Sequence, residues 1–222
     1  MVNNEKPKTL AMELSELIMN VGANLPLEKL KILGRMIEEF KGSGVESRAL
    51  KVGDKAPQFR LPSSQGEWVS SSELLAKGPL VISFYRGGWC PFCSLELRAW
   101  EPYQGDLKTL SATFVAISPE IAQKAEETVK SKQLSFPVLN DEGLRVCEQF
   151  GLVFKLNPEA IALHQGFGVD LPAINGGPEW KLPVPATFVI SRDGIIRWAF
   201  VDADYTKRAE PSEVLDILRK MH

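Results

Sequence analysis

The sequence predicts an α/β fold: a mixed central sheet flanked by helices, with a helical extension ahead of it. Apolar runs at residues 80–85, 113–118, 186–191 and 195–200 read as buried strands. Helical stretches at 119–132, 141–150 and 211–221 fall among them, and this order gives a sheet with helices on its faces. Ahead of Val52 the periodicity is helical.

Each element has its own signal. Residues 9–22 place Leu10, Leu14, Leu17, Ile18 and Val21 at helical spacing. Pro26 opens a second helix with Leu27, Leu30, Leu33, Ile37 and Phe40 on one face, and Lys41-Gly42-Ser43-Gly44 closes it as a C-cap and hinge. Two helices this short cannot bury their apolar faces alone, so they are expected to pack on the main domain or on another copy of the chain. The extension is placed at residues 1–44 and the domain at 45–222. Segments 59–61 and 67–69 flank Ser63-Ser64-Gln65-Gly66 as a short hairpin. Pro119 sits in the first turn of the 119–132 helix, and Gly151 closes the 141–150 helix. Arg192-Asp193-Gly194 is a hairpin signal between the last two strands. Residues 157–185, rich in Pro and Gly, read as a long loop.

A chain of 222 residues fits one domain plus an appendage. Its hydrophobic fraction of 44% supports a sizeable core, and a formal net charge of −2 offers no field for nucleic acid or an anionic membrane. Three cysteines make no disulfide framework, which points to a reducing, cytoplasmic setting. The polar residues 1–9 lack the apolar core of a signal segment, and no run of about 18 apolar residues is present to span a membrane.

The chemistry concentrates in Trp89-Cys90-Pro91-Phe92-Cys93, which follows the 80–85 strand and opens a helix. A thiol at a helix N-terminus feels the partial positive charge of unpaired backbone N–H groups, which favours thiolate, the nucleophilic form. Such surroundings take a cysteine pKa from about 8.5 into the range ~3.5–7.5. A partner three residues on is one helical turn away and can close a disulfide. Each residue also has a plainer reading. The pair is half a zinc site only if Cys147, His164 and His222 complete it, and no metal or other cofactor is expected. Cys147 reads as a core residue, and His164 as a solvated or hydrogen-bonded loop residue. Trp89 serves packing or the site, and Glu96 is either an exposed helix residue or a hydrogen-bond acceptor one turn below Cys93. Arg86, beside Gly87-Gly88 at the strand end, is expected to face the site.

The strand, the Cys-x-x-Cys helix start and Val184-Pro185-Ala186-Thr187 ahead of a late strand resemble the thioredoxin fold. Gly53-Asp54-Lys55-Ala56-Pro57-Gln58-Phe59-Arg60-Leu61 resembles the domain opening of peroxiredoxins, the alkyl hydroperoxide reductase and thiol-specific antioxidant family. So does Phe84-Tyr85 followed by Cys93 and Glu96. The likeness runs from about Lys51 to the C-terminus and is to the peroxiredoxin-like branch whose motif is Cys-x-x-Cys. It implies a thioredoxin-like fold, a peroxidatic Cys93 and a nearby carboxylate, Glu96. The departures are at Arg86 and Cys90, where the family usually has proline and a threonine or serine. The family's arginine before the late strand falls on Pro185, and a second family arginine is matched by Arg208. Pro185 also matches the cis-proline that faces the dithiol in thioredoxins.

The resemblance implies a thiol peroxidase. Cys93 attacks a peroxide and becomes a sulfenic acid, Cys90 condenses with it, and thioredoxin or a similar dithiol reductant reopens the bridge. Arg86, the helix amides and Arg208 are the candidate hydrogen-bond donors. The alternatives are a thioredoxin-like thiol–disulfide oxidoreductase with Cys90 as nucleophile, and a binding protein switched by these thiols. A homodimer through the N-terminal helices is the expected assembly.

Overall fold

The computed structural model describes residues 8–221. It begins with α1 (Leu10–Asn24), α2 (Leu27–Gly42), α3 (Val45–Arg48), β1 (Arg60–Pro62), β2 (Trp68–Ser70) and α4 (Ser71–Lys77). Then come β3 (Leu80–Phe84), α5 (Pro91–Trp100), α6 (Gln104–Thr109), β4 (Thr113–Ser118), α7 (Ala122–Lys132), β5 (Val138–Asn140) and α8 (Arg145–Gln149). The chain closes with β6 (Val153–Lys155), α9 (Pro158–Gly166), α10 (Leu171–Asn175), β7 (Lys181–Pro183), β8 (Ala186–Ile190), β9 (Ile196–Val201) and α11 (Pro211–Lys220).

Five strands form the central sheet in the order β5-β4-β3-β8-β9. β3 pairs in parallel with β4, and β4 with β5, while β8 is antiparallel to both β3 and β9. β3, the middle strand, is buried along its whole length. Strand side chains alternate between faces, so β3 feeds two cores. Leu80, Ile82 and Phe84 join Val115, Ile117 and Phe188 on one side, and Val81 joins Phe114, Ala116 and Val189 on the other. The second core contains Leu97 and Trp100 of α5 and both motif cysteines. α1 packs on α5 and α2 on α9, burying Leu10, Leu14, Met36 and Phe40 in that same core. The helix pair therefore lies over the dithiol side of the sheet.

Several boundaries differ from the sequence expectation, each for a local reason. The 119–132 helix begins only at Ala122, because Glu120 turns inward to a buried position. The 141–150 helix shrinks to α8: Asp141 stays outside and its carboxylate accepts the N–H groups of Val146 and Cys147 at 3.0 and 2.8 Å. The largest correction is at residues 157–185, which hold α9, α10 and β7 rather than a loop. Asn157 caps α9 by accepting the Ala160 N–H at 2.7 Å, with Pro158 in the first turn. Ala160, Leu163 and His164 are buried and Ile161 is half-buried, so no clean apolar stripe marks this helix. The three-residue strands β5, β6 and β7 are too short to carry a periodic signal.

Candidate active site at the dithiol

β3, β4 and β9 end at the same edge of the sheet, and the site is assembled from the segments that leave them. The loop after β3 needs its two glycines. A Cβ on Gly87, whose φ is +149°, would meet the Trp89 indole at 2.3 Å. One on Gly88 would meet Thr128 Oγ1 of α7 at 1.9 Å. The loop can therefore lie against α7 and Glu120, whose carboxylate accepts the Gly88 N–H at 2.9 Å and the Tyr85 hydroxyl at 3.2 Å. Burial raises the Glu120 carboxyl above its ordinary range. Cys90 is the N-cap of α5, Pro91 takes the first turn, and Cys93 follows one turn later. Both cysteines are buried free thiols.

Arg208, in the segment after β9, is the group that touches Cys93. Its Nη2 donates to Cys93 Sγ at 3.1 Å, and its Nε donates to Glu96 Oε2 at 2.5 Å. Glu96 is wholly buried; Ser83 Oγ donates to it at 2.8 Å and Thr187 Oγ1 at 3.5 Å. Burial raises the Glu96 carboxyl, while the Arg208 charge opposes that shift. Arg208 is in turn fixed by donating from Nη1 to the carbonyls of Tyr205 and Lys207.

The two thiols titrate as a pair. Burial disfavours the anion, but the hydrogen bond from Cys93 and the charges of Arg86 and Arg208 lower Cys90 to about 5. Burial and the resulting charge on Cys90 push Cys93 well above the ordinary thiol range. At neutral pH the pair thus carries one negative charge and one proton, joined through a thiol–thiolate hydrogen bond and flanked by two guanidinium ions. Cys147, on α8, is raised by burial and by Asp141, which leaves it an unreactive thiol.

Arg86 is held beside this pair. Its guanidinium lies 4.9 Å from the Trp89 ring centre and 4.4 Å from that of Tyr205. Its Nη2 bonds His164 Nε2 at 2.9 Å, while His164 Nδ1 bonds the Ala160 carbonyl at 2.7 Å. A guanidinium only donates, so Nε2 accepts and Nδ1 carries the proton. Burial and the Arg86 charge lower His164 to about 4, which keeps it neutral in this role. Arg86 Nε is buried with no partner. Arg86, Trp89, Cys90 and His164 line a cavity of about 620 Å³ together with Leu163 and Phe167 and with Val21, Asn24 and Leu33 of the helix pair.

The structure brings Cys90, Cys93, Arg86, Trp89, Glu96 and Arg208 together. Pro185 is placed differently from the expectation. No cis peptide bond occurs among the described residues, so its bond to Val184 is trans. It is buried just ahead of β8, whose Ala186 pairs with Phe84, and it is not among the residues lining the cavity. Sequence reasoning assigned Tyr205 and Glu120 no role and marked His164 only as a solvated or hydrogen-bonded loop residue; it is hydrogen-bonded, but from a helix. The Asn157-Pro158 helix start would have placed His164 on a helix. Glu120 lies two residues past the end of β4, a strand parallel to β3, at the end of a sheet where sites gather. Tyr205 carried no such signal. Among the described residues no cluster of His, Cys, Asp and Glu is arranged to hold a metal, and no helix is long and apolar enough to cross a membrane. His222 and residues 1–7 lie outside the described residues.

The fold and site define a protein with a thioredoxin-like sheet and a dithiol at a helix start. The model of the AhpC/TSA family matches residues 52–199, and the chain belongs to that family. Peroxiredoxin Bcp of Escherichia coli is 33% identical over 103 residues, covering 46% of this chain and 65% of that protein. A putative peroxiredoxin of Coxiella burnetii is 28% identical over 159 residues, covering 70% of this chain and 93% of its own length. Among solved structures, peroxidoxin BcpB of Mycobacterium tuberculosis superposes with a TM-score of 0.62 at 23% identity, covering 78% of this chain and 99% of that one. A yeast mitochondrial 1-Cys peroxiredoxin gives 0.60 at 17% identity, covering 78% and 76%. At these identities the solved structures speak for the fold.

Proposed function

We propose that this chain is a thiol-dependent peroxidase that reduces hydrogen peroxide or organic hydroperoxides through Cys93, with Cys90 as the resolving thiol. The observation that carries this reading is the hydrogen bond from the buried Arg208 to Cys93 Sγ at 3.1 Å. When the shared proton moves to Cys90, the negative charge on Cys93 meets that guanidinium directly. Cys93 thiolate attacks the O–O bond. An S–O bond forms, the O–O bond breaks, and the leaving alkoxide takes the proton of Cys90. The Cys90 thiolate then attacks the Cys93 sulfenic acid, forming the disulfide and releasing hydroxide. Arg86 and Arg208 are the donors for the developing oxyanion.

A thioredoxin-like dithiol donor would return the pair to its reduced state, entering at Cys90, which lines the cavity. The reading places the protein in a reducing, cytoplasmic setting, with residues 1–44 as an extension of the 45–222 domain. Exposed Met12, Met19 and Leu27 on the helix pair are the surface a homodimer would use. The position of Cys90 on the cavity favours a second reading, disulfide exchange with Cys90 as the nucleophile. A sulfenic-acid trap separates the two. Reduced Cys90→Ser treated with one equivalent of hydrogen peroxide is expected to give a trapped adduct on Cys93. No adduct there, together with a fast-alkylating Cys90 in Cys93→Ser, would move the assignment to disulfide exchange.

A further inference from the structure

Glu120 has no part in the chemistry above, yet it is built into the site. Three donors converge on its buried carboxylate: the Gly88 N–H at 2.9 Å, the Tyr85 hydroxyl at 3.2 Å and the Ser118 hydroxyl at 3.3 Å. Tyr85 and Gly88 bracket the segment that leads from β3 towards Cys90, and Ser94 of α5 donates to the Gly88 carbonyl at 3.3 Å. Glu120 follows β4 and Arg208 follows β9, strands that lie on opposite sides of β3. The dithiol that follows β3 therefore has a carboxylate on one flank and a guanidinium on the other. Glu96, the other buried carboxylate, is paired with Arg208 at 2.5 Å, so its charge is answered. Among the described residues Glu120 makes no ion pair. Lys124 is taken by Glu127 at 2.8 Å, and Lys132 and Asp170 line the same cleft. Burial raises the Glu120 carboxyl, and a charge on Cys93 raises it further, as two opposed anions do.

We propose that Glu120 is a positioning residue for the shared thiolate: its charge opposes an anion on Cys93 and so holds that anion on Cys90. In the resting pair Cys93 then keeps its proton. The proposal concerns the resting charge, and only its rate test rests on the peroxidase reading above.

The test uses the full chain carrying Cys90→Ser, which leaves Cys93 as the active-site thiol, with and without Glu120→Gln. A glutamine keeps an acceptor for the Gly88 N–H and can donate to the two hydroxyls, so the contacts stay while the charge goes. Ultraviolet titration of thiolate absorbance compares the two proteins, to which Cys147 is common. Removing a negative charge favours the thiolate, so Glu120→Gln is expected to lower the Cys93 midpoint and give at least about threefold more thiolate below it. The rate of Cys93 with hydrogen peroxide at such a pH is expected to rise by the same factor. Glu127→Gln removes an equal charge from the same cleft and is expected to move neither. A midpoint that stays or rises in Glu120→Gln, or that Glu127→Gln lowers equally, would overturn the proposal. A lowered midpoint with no reaction at Cys93 in any variant would support the proposal and refute the peroxidase reading. Should Glu120→Gln not fold, the native protein decides through the reciprocal effect. The carbon-13 resonance of the Glu120 carboxyl is followed against pH in the reduced form and in the disulfide form made with diamide. Its midpoint is expected to fall when the disulfide removes the thiolate, and an equal midpoint in both forms would overturn the proposal.

Discussion

Cys90 and Cys93 divide one negative charge between them, and the arginines decide how easily it forms. Arg208 lowers both thiols by its charge, and its partner Glu96 is buried with it. Removing Arg208 alone would leave an uncompensated buried carboxylate, at about 3–5 kcal/mol. The informative variant is therefore the double substitution Arg208→Met with Glu96→Gln. The double variant removes one charge of each sign, so it is compared with Glu96→Gln alone: loss of the Arg208 charge disfavours the thiolate, and the first thiolate transition, at about 5 in the native protein, is expected to lie higher in the double variant than in Glu96→Gln. Ultraviolet titration of thiolate absorbance reads this, and an unchanged midpoint would remove Arg208 from the electrostatic account. The two thiols of the proposed site were legible in the sequence because Cys-x-x-Cys at a strand end is a local pattern. His164 and Tyr205 were not, because they lie some 70 to 120 positions away along the chain and reach Arg86 only through the tertiary fold.

At the scale of elements, the loop between β3 and α5 sets the geometry. Its close approach to α7 depends on a hydrogen atom at Gly88. Gly88→Ala is expected to destabilise the protein by about 1–3 kcal/mol, because the new methyl must displace Thr128 from a packed contact. Gly105→Ala on α6 meets nothing within 4 Å and serves as the control. It should leave stability unchanged or slightly raised, since alanine favours helix over glycine. Urea unfolding measures both, and equal effects would show that the loop tolerates a side chain. The strong elements β3, β4, β8, β9 and α11 were readable from apolar runs and periodicity. α9 was not, because burial on more than one face erases the stripe that periodicity detects.

The whole molecule places a dithiol beneath a helix pair that the sequence treats as an appendage. The sequence required those helices to find an apolar partner, and in the structure that partner is the core containing the two cysteines. What periodicity could not indicate is that their junction would leave a cavity leading to Cys90. Cavity shape depends on how elements from distant parts of the chain meet, and no local pattern encodes it. The arrangement buries both cysteines of the motif, while Cys147 sits on the opposite side of the sheet, in the other core.

The central claim is that peroxide oxidises this pair to a disulfide within one chain. The direct measurement adds one equivalent of hydrogen peroxide to the reduced native protein, blocks remaining thiols by alkylation and maps the peptides by mass spectrometry. The account predicts a Cys90–Cys93 disulfide, with Cys147 alkylated. Recovery of Cys90 and Cys93 both alkylated, with the peroxide unconsumed, would contradict it.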